Sequence, residues 1–232
     1  NSFPNASLQL ENFSVINKTP FEGDTLASGK SLKLDMGVMQ LFKTKDIKVD
    51  AVKLDGAFVN IKIDSLGNAN YDIAVKKDAP VVTKGEETNG GFNFELKKYE
   101  INNSRINYLD EASQTYLMLT EVQHEGSGDL SQEISNLKTK TNAFATLSID
   151  SLEYLTKNRI SLDAIFKLDL KNQKYTFLEN EAKINELPLT FDGFVKVNET
   201  NNEVDLMFKT PSSDFKNFLA VIPETYVKQI ND

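Results

Sequence analysis

The residues that could do chemistry in this chain are few, and their spacing speaks against most of it. His124 is the only histidine. Ser127 and Asp129 follow it closely, but neighbours along one strand do not converge as a nucleophile, base and orienting acid must. Gly126 and Gly128 beside it point to close backbone packing. The carboxylate pairs Glu86-Glu87 and Asp110-Glu111 lack the apolar surroundings that would raise one pKa for general acid work. The stretch Asp64-Ser-Leu-Gly-Asn-Ala-Asn-Tyr-Asp72 sets oxygen donors at alternate positions, as calcium requires. It has no Asp or Asn before its glycine and no distal bidentate Glu, so Leu66-Gly67-Asn68 reads as a turn with Gly or Asn at positive φ. No phosphate-cradling glycine loop and no Gly-x-Ser-x-Gly is present. Without cysteine, disulfides and thiolate metal sites are excluded. The expectation is a protein that is not an enzyme, with no catalytic residue, no metal site and no cofactor.

The elements that surround these residues are strands. The chain has 232 residues, 40% of them apolar, with 15 Phe and 7 Tyr but no Trp. Its mean hydropathy is −0.38, the balance of strands with one wet face. A net charge of −8 without basic clusters argues against nucleic acid and against docking on an anionic membrane. No apolar run reaches the roughly eighteen residues a spanning helix needs. The chain opens abruptly on Asn1-Ser-Phe-Pro-Asn5, as a fragment excised downstream of a membrane anchor would.

Period-two alternation starts at Leu8, Leu10, Phe13 and Val15 with one slip in phase. It restarts at Leu32 to Val38 and runs from Ile47 to Ile63 with phase shifts near Ala51 and at Phe58-Val59. A slip of one residue inverts the buried face, so the shifts predict β-bulges and a curved sheet. Further strands are expected around Phe92–Ile101, Ile106–Tyr108, Tyr116–Gly128, Leu137–Thr141, Phe144–Ile149 and Ile160–Leu170. Tyr175–Phe177, Ala182–Ile184, Leu189–Val197 and Val204–Phe208 complete the set. Leu41 and Phe42 together read as a short helical turn over 39–43. Residues 76–91 combine Pro, Gly and charge and read as a linker loop. After Pro211, Ser212 or Ser213 is placed to cap a helix carrying Phe215, Phe218, Leu219 and Ile222 on one stripe. Pro223 ends it and opens a second, giving a helix pair near 212–230. No βαβ spacing occurs, which removes the parallel nucleotide-binding folds.

The fold class is therefore mainly β: a long curved antiparallel sheet forming a groove, or a flattened barrel or sandwich. Residues 1–75 form a first β module, 76–91 a flexible linker, and 92–232 a second module ending in helices; one continuous domain is the alternative.

Four places resemble the AsmA-like family, the AsmA/TamB-related envelope proteins of Gram-negative bacteria. They are Phe3–Val15; Leu26–Leu34 with Met39–Phe42; Ile47–Ile61 closed by Gly67-Asn-Ala-Asn-Tyr-Asp72; and Ile106–Asp110 with Val122–Gly128. Their order carries the resemblance, which is good through about residue 128. The richness in Asn and Lys looks like a Bacteroidetes protein. The resemblance implies an N-terminal inner-membrane helix, absent from this fragment, and a periplasmic body serving outer-membrane biogenesis. Larger relatives form apolar β-grooves implicated in moving phospholipid toward the outer membrane. On that basis Leu54, Phe58, Ile61, Phe166 and Leu168 are the candidate lipid-facing residues. The alternative is an interaction domain that assists outer-membrane protein assembly, taking a partner strand along Tyr116–Leu119 or Val204–Phe208. A carbohydrate-binding sandwich ranks last, for want of tryptophan.

Overall fold

A computed structural model of the protein describes residues 5–42, 47–72, 94–129, 132–198, 202–211 and 221. Within them lie eleven strands: β1 (Asn5–Ile16), β2 (Thr25–Gly37), β3 (Ile47–Asp55), β4 (Phe58–Ile63), β5 (Phe94–Asp110), β6 (Thr115–Ser127), β7 (Ile134–Ile149), β8 (Leu152–Asp169), β9 (Lys174–Ile184), β10 (Leu187–Val197) and β11 (Asn202–Lys209). All belong to one sheet in the order β1-β2-β3-β5-β6-β7-β8-β9-β10-β11, with β4 continuing the place of β3 between β2 and β5. The strands on either side of 76–91 share this sheet. The linker itself and the helix pair expected near 212–230 fall outside the described residues, apart from Val221.

Several expectations are corrected. The segments expected as separate strands at Phe92–Ile101 and Ile106–Tyr108 form one strand, β5, and those at Tyr175–Phe177 and Ala182–Ile184 form one strand, β9. The sheet is mixed, because β3 and β4 both run parallel to β5. Parallel neighbours need a long crossover, and the chain from Asp64 to Asn93 supplies it. The alternating run Ile47–Ile63 is two strands broken at Gly56, where φ is +60°. The two strands expected at Leu137–Thr141 and Phe144–Ile149 are one, β7, in which Phe144 is an apolar residue on the polar face. As for the closed alternatives, barrel and sandwich, β1 and β11 are not paired with each other and the described residues contain no second sheet. The helical turn expected over 39–43 takes the form of a 3-10 helix at Val38–Phe42. It lies against β2 and β3, and the Lys48 N–H donates to Gln40 Oε1 at 3.1 Å.

Most slips in alternation have a common origin. Asn12, Asn103, Glu121 and Lys157 hold φ near +50°, as Gly56 does near +60°. In β5, β6 and β8 these residues coincide with shifts of the pairing register. They follow one another across the sheet: the Gly56 N–H donates to Asn102 O at 3.0 Å, Asn103 Nδ2 to Asp55 Oδ1 at 2.7 Å, and Gln123 Nε2 to Asn103 Oδ1 at 3.0 Å. Ser104, buried in this crease, accepts the Ala57 N–H and donates to Asn102 O. A bulge inserts one residue and raises local twist, so a row of them creases the sheet while β5, β6 and β8 return their apolar side chains to the same face beyond it. The slip near Ala51 has neither positive φ nor register shift and leaves Val49 and Leu96 on the opposite face. Left-handed backbone costs an L-residue about 1–2 kcal/mol. Glu121→Gly is therefore expected to leave stability unchanged or raise it by up to about 1 kcal/mol. Glu121→Val should lower it by about 1–2 kcal/mol, because a β-branched residue tolerates positive φ worst. Urea unfolding of both variants checks the pair.

Candidate functional site

The strand β7 has no residue at positive φ, so its odd-numbered residues, from Ser135 to Ile149, share one face. Residues opposite one another in a ladder point the same way, and the pairing carries this face across the sheet. One row runs Leu54–Ile101–His124–Thr141–Leu162–Ala182–Leu189. A second runs Ile61–Tyr108–Leu117–Leu147–Leu155. A third, Leu137–Phe166–Phe177, continues as an aromatic ladder: ring centroids lie 4.9 Å apart for Phe166–Phe177, 4.7 Å for Phe177–Phe191 and 5.6 Å for Phe191–Phe208. The face is apolar from β1 to β11, and all the described strands lie in the sheet that bears it.

The opposite face is charged. The row Lys53–Glu100–Glu125–Lys140–Asp163–Glu181 is directly paired across six strands. Lys53 and Lys98 reach Glu100 at 3.4 and 2.8 Å, and Lys140 reaches Asp163 at 3.4 Å. The Lys98 ammonium, hydrogen-bonded to Glu100, holds that carboxyl below its ordinary range, and the Lys98 pKa is raised in return. Exposed pairs of this kind stabilise by about 0–1 kcal/mol each; their larger effect is to fix which face meets water.

Of the five residues expected to face lipid, Leu54, Ile61, Phe166 and Leu168 stand on the apolar face. Phe58 does not. It pairs with Arg105, which lies between the apolar-face positions Ser104 and Ile106, and the Arg105 guanidinium sits 5.7 Å from its ring centroid. The break at Gly56 inverts the alternation and turns Phe58 to the charged face. None of the five is fully buried. Sequence reasoning passed over Leu117, Leu119, Leu147 and Leu162, and the phenylalanines after Phe166. Their alternation is plain, but only the pairing ties it to a common face.

The centre of the face is closely packed. Val122 and Ala145 are each 2 % exposed, whereas Leu10 on β1 and Phe208 on β11 are 51 % and 61 % exposed. A hollow of about 400 Å³ spans β7 to β10, with Thr141, Leu162, Ala182 and Leu189 in its lining and Pro211 at its rim. One polar cluster lies within the face. Tyr99 Oη is 2.9 Å from His124 Nε2, and His124 Nδ1 is 2.8 Å from Thr141 Oγ1. The Tyr99 ring covers Gly126, where a Cβ would overlap the Tyr99 ring. Ser127 belongs to the opposite face, three positions on from His124 in an unbroken register, so no serine nucleophile meets this imidazole.

Burial pushes the His124 pKa below its ordinary 6.5, against a smaller upward pull from Glu125. A depressed imidazole pKa means that the unfolded chain binds the proton more readily. Stability is therefore full above pH 6.5 and falls as pH drops from there toward the lower folded value. His124→Gln should flatten this part of the stability curve, which urea titrations between about pH 7 and 5 would read.

The Asp64–Asp72 segment is a turn. Asp64 Oδ1 accepts the N–H groups of Leu66 and Asn68, and Asn68 Nδ2 donates to Asp64 Oδ2. These bonds, the Asn68 side chain first, hold the Asp64 carboxyl below its ordinary range. Gly67 takes φ +84°.

Among known proteins, the family model described as the AsmA family matches residues 2–140, from β1 into β7. No curated protein and no solved structure gives a significant match.

Proposed function

This chain belongs to the AsmA family, and on that premise we propose that its apolar face holds the acyl chains of phospholipid in the periplasm of a Gram-negative bacterium. The protein acts there without catalysis or cofactor, as an envelope-biogenesis module that binds or conducts lipid toward the outer membrane. In the full-length protein it is tethered to the inner membrane through an N-terminal anchor. The observation that carries this reading is the apolar face running across the sheet, interrupted by the Tyr99–His124–Thr141 cluster and backed by a mostly charged face. A sheet with one apolar face ordinarily needs a second layer to cover it. The described residues contain no second sheet and no α-helix, and acyl chains are chemically suited to that surface.

The test is native mass spectrometry and lipid extraction of the chain purified from a bacterial host. Phospholipid should co-purify. Leu162→Lys, at mid-face, should lower retained lipid by about tenfold or more, since a buried leucine contributes roughly 1.5–3 kcal/mol and the ammonium must be desolvated. Ile165→Lys is the control, because it pairs with Lys138 and Glu179 on the charged face, and should leave lipid unchanged. Folded protein with a clean apo mass, or equal loss in both variants, would count against lipid handling.

A second reading, an interaction domain that assists outer-membrane protein assembly, draws on β1 and β11, which end the sheet among the described residues; Tyr116–Leu119 lies on β6, between β5 and β7, and offers no edge. It is favoured if crosslinks from Val204–Phe208 reach a β-barrel protein and no lipid is found.

A further inference from the structure

We propose that β11 pairs antiparallel with β11 of a second copy, about a two-fold axis at Leu206, to make one continuous sheet. Among the described residues β11 pairs only with β10. Its register against β10 is unbroken from Asn202 to Lys209, and it holds no proline and no residue at positive φ. Natural edges are normally blunted by bulges, prolines or short length. The other edge strand, β1, is interrupted by Asn12 at φ +50°, whereas β11 has neither bulge nor proline, only the charged side chains of Glu203, Asp205 and Lys209 on one face. It instead presents Val204, Met207 and Phe208 at 58, 60 and 61 % exposure, and the phenylalanine ladder stops there in mid-course.

The choice of a second copy rests on the sequence Glu203-Val-Asp-Leu-Met-Phe-Lys209, which read in reverse complements itself at its ends and centre, with Asp205 opposite Met207 the one neutral pairing. With Leu206 opposite Leu206, Val204 meets Phe208 on the apolar face. On the charged face Glu203 meets Lys209, and the two-fold repeats each pair. Lys209 already reaches Asp192 at 2.7 Å within its own chain, so its ammonium would lie between two carboxylates. Opposite charges and apolar pairs directly across strands both favour this register. Shifting it by one residue would set apolar side chains against the charged face. The contact is isologous and closes at two copies, and both apolar faces emerge on the same side of the joined sheet.

The full 232-residue chain has no cysteine, so disulfide mapping is unambiguous. Leu206→Cys should oxidise to a covalent dimer, since opposed antiparallel residues have Cα atoms about 4.5–5.5 Å apart, within disulfide reach. Val204→Cys should not, because the two copies of position 204 would lie about 13 Å apart along the strands. By sedimentation from about 1 to 100 µM, Glu203→Lys should weaken association roughly tenfold, and E203K combined with K209E should rescue it to tighter association than either single variant, short of the parent because the new carboxylate at position 209 would then face Asp192. A monomer throughout with no Leu206→Cys dimer overturns the proposal. So does equal crosslinking at 204 and 206, or failure of the double reversal to rescue. Mixed disulfides between Leu206→Cys and another protein would assign the edge to a foreign strand and overturn it equally. Lipid retention by an obligate monomer would leave the reading of the apolar face standing, so the two fail separately.

Discussion

Gly193→Ala is expected to detach β11 and to lower stability by about 3 kcal/mol or more. Gly193 has φ +123°, a backbone region that residues with a Cβ rarely enter. A Cβ there would lie within van der Waals overlap of the neighbouring backbone, 2.8 Å from Asp205 C and 3.1 Å from Leu206 Cα, with the Asp205 oxygen closer still. The obstacle is main chain, which cannot rotate aside as a side chain would. Gly193 faces Leu206 in β10–β11 and Phe177 in β9–β10, beside the register shift between Leu189 and Gly193. At that shift Asn180 is bonded to both the N–H and the C=O of Phe191. Alanine therefore forces β11 outward at the middle of its ladder. Since β10 is the only described neighbour of β11, the strand can peel away while the central strands persist. Hydrogen exchange should show residues 202–209 exchanging freely, with β5–β8 protected nearly as in the parent. Uniform loss of protection, or none, would contradict this account. The same variant should lose the Leu206→Cys dimer, because the edge that forms it is gone.

How much of this was legible in the sequence depends on distance along the chain. Alternation marked most strands correctly, and even its faults were informative: the slip between Leu10 and Phe13 is the left-handed Asn12. Slips were placed less well where two causes overlapped. The shift assigned to Phe58-Val59 arises at Gly56, and this misplaced Phe58 on the apolar side. Phe144, apolar but on the charged face, split β7 in two, because periodicity weighs each residue by its type and not by its partner. The parallel pairing of β3 and β4 with β5 was not legible, since nothing local distinguishes a strand that will meet a parallel neighbour across a long crossover from one that will not. The candidate site shares this limit. Leu54, Ile61, Phe166 and Leu168 were found because each lies in a regular run. Leu117, Leu147 and Leu155 join them only through contacts between strands far apart in sequence.

The motif Gly67-Asn-Ala-Asn-Tyr-Asp72, which closes the family-like stretch Ile47–Ile61, acts as a stitch, and Asn70→Ala is expected to show it. Asn70 is 2 % exposed. Its side chain continues the ladder of β4 as a peptide group would: Oδ1 accepts the Lys62 N–H at 2.9 Å, and Nδ2 donates to Asn60 O at 2.6 Å. Nδ2 also approaches Asn17 Oδ1 at 3.4 Å, while Asn17 Nδ2 donates to Asn70 O at 2.5 Å. Asn17 in turn closes the β1–β2 connection through its N–H to Asp24 O. One amide thus joins the end of β4 to the turn between β1 and β2, where the ladder of β2 with β4 covers only Ala27 and Ser28. Alanine leaves the Lys62 N–H and the Asn60 carbonyl without these partners. Each group so orphaned costs about 1–3 kcal/mol, which predicts a loss near 3 kcal/mol in urea unfolding. Asn70→Asp separates the donor from the acceptor role. It keeps an oxygen for the Lys62 N–H but turns a second oxygen toward Asn60 O and Asn17 Oδ1, so it should be as damaging as alanine at neutral pH. Protonating that carboxyl restores one O–H donor, and the aspartate variant should then regain ground on the alanine variant as pH falls. If the two variants stay equal in acid, shape rather than hydrogen bonding holds this corner of the sheet.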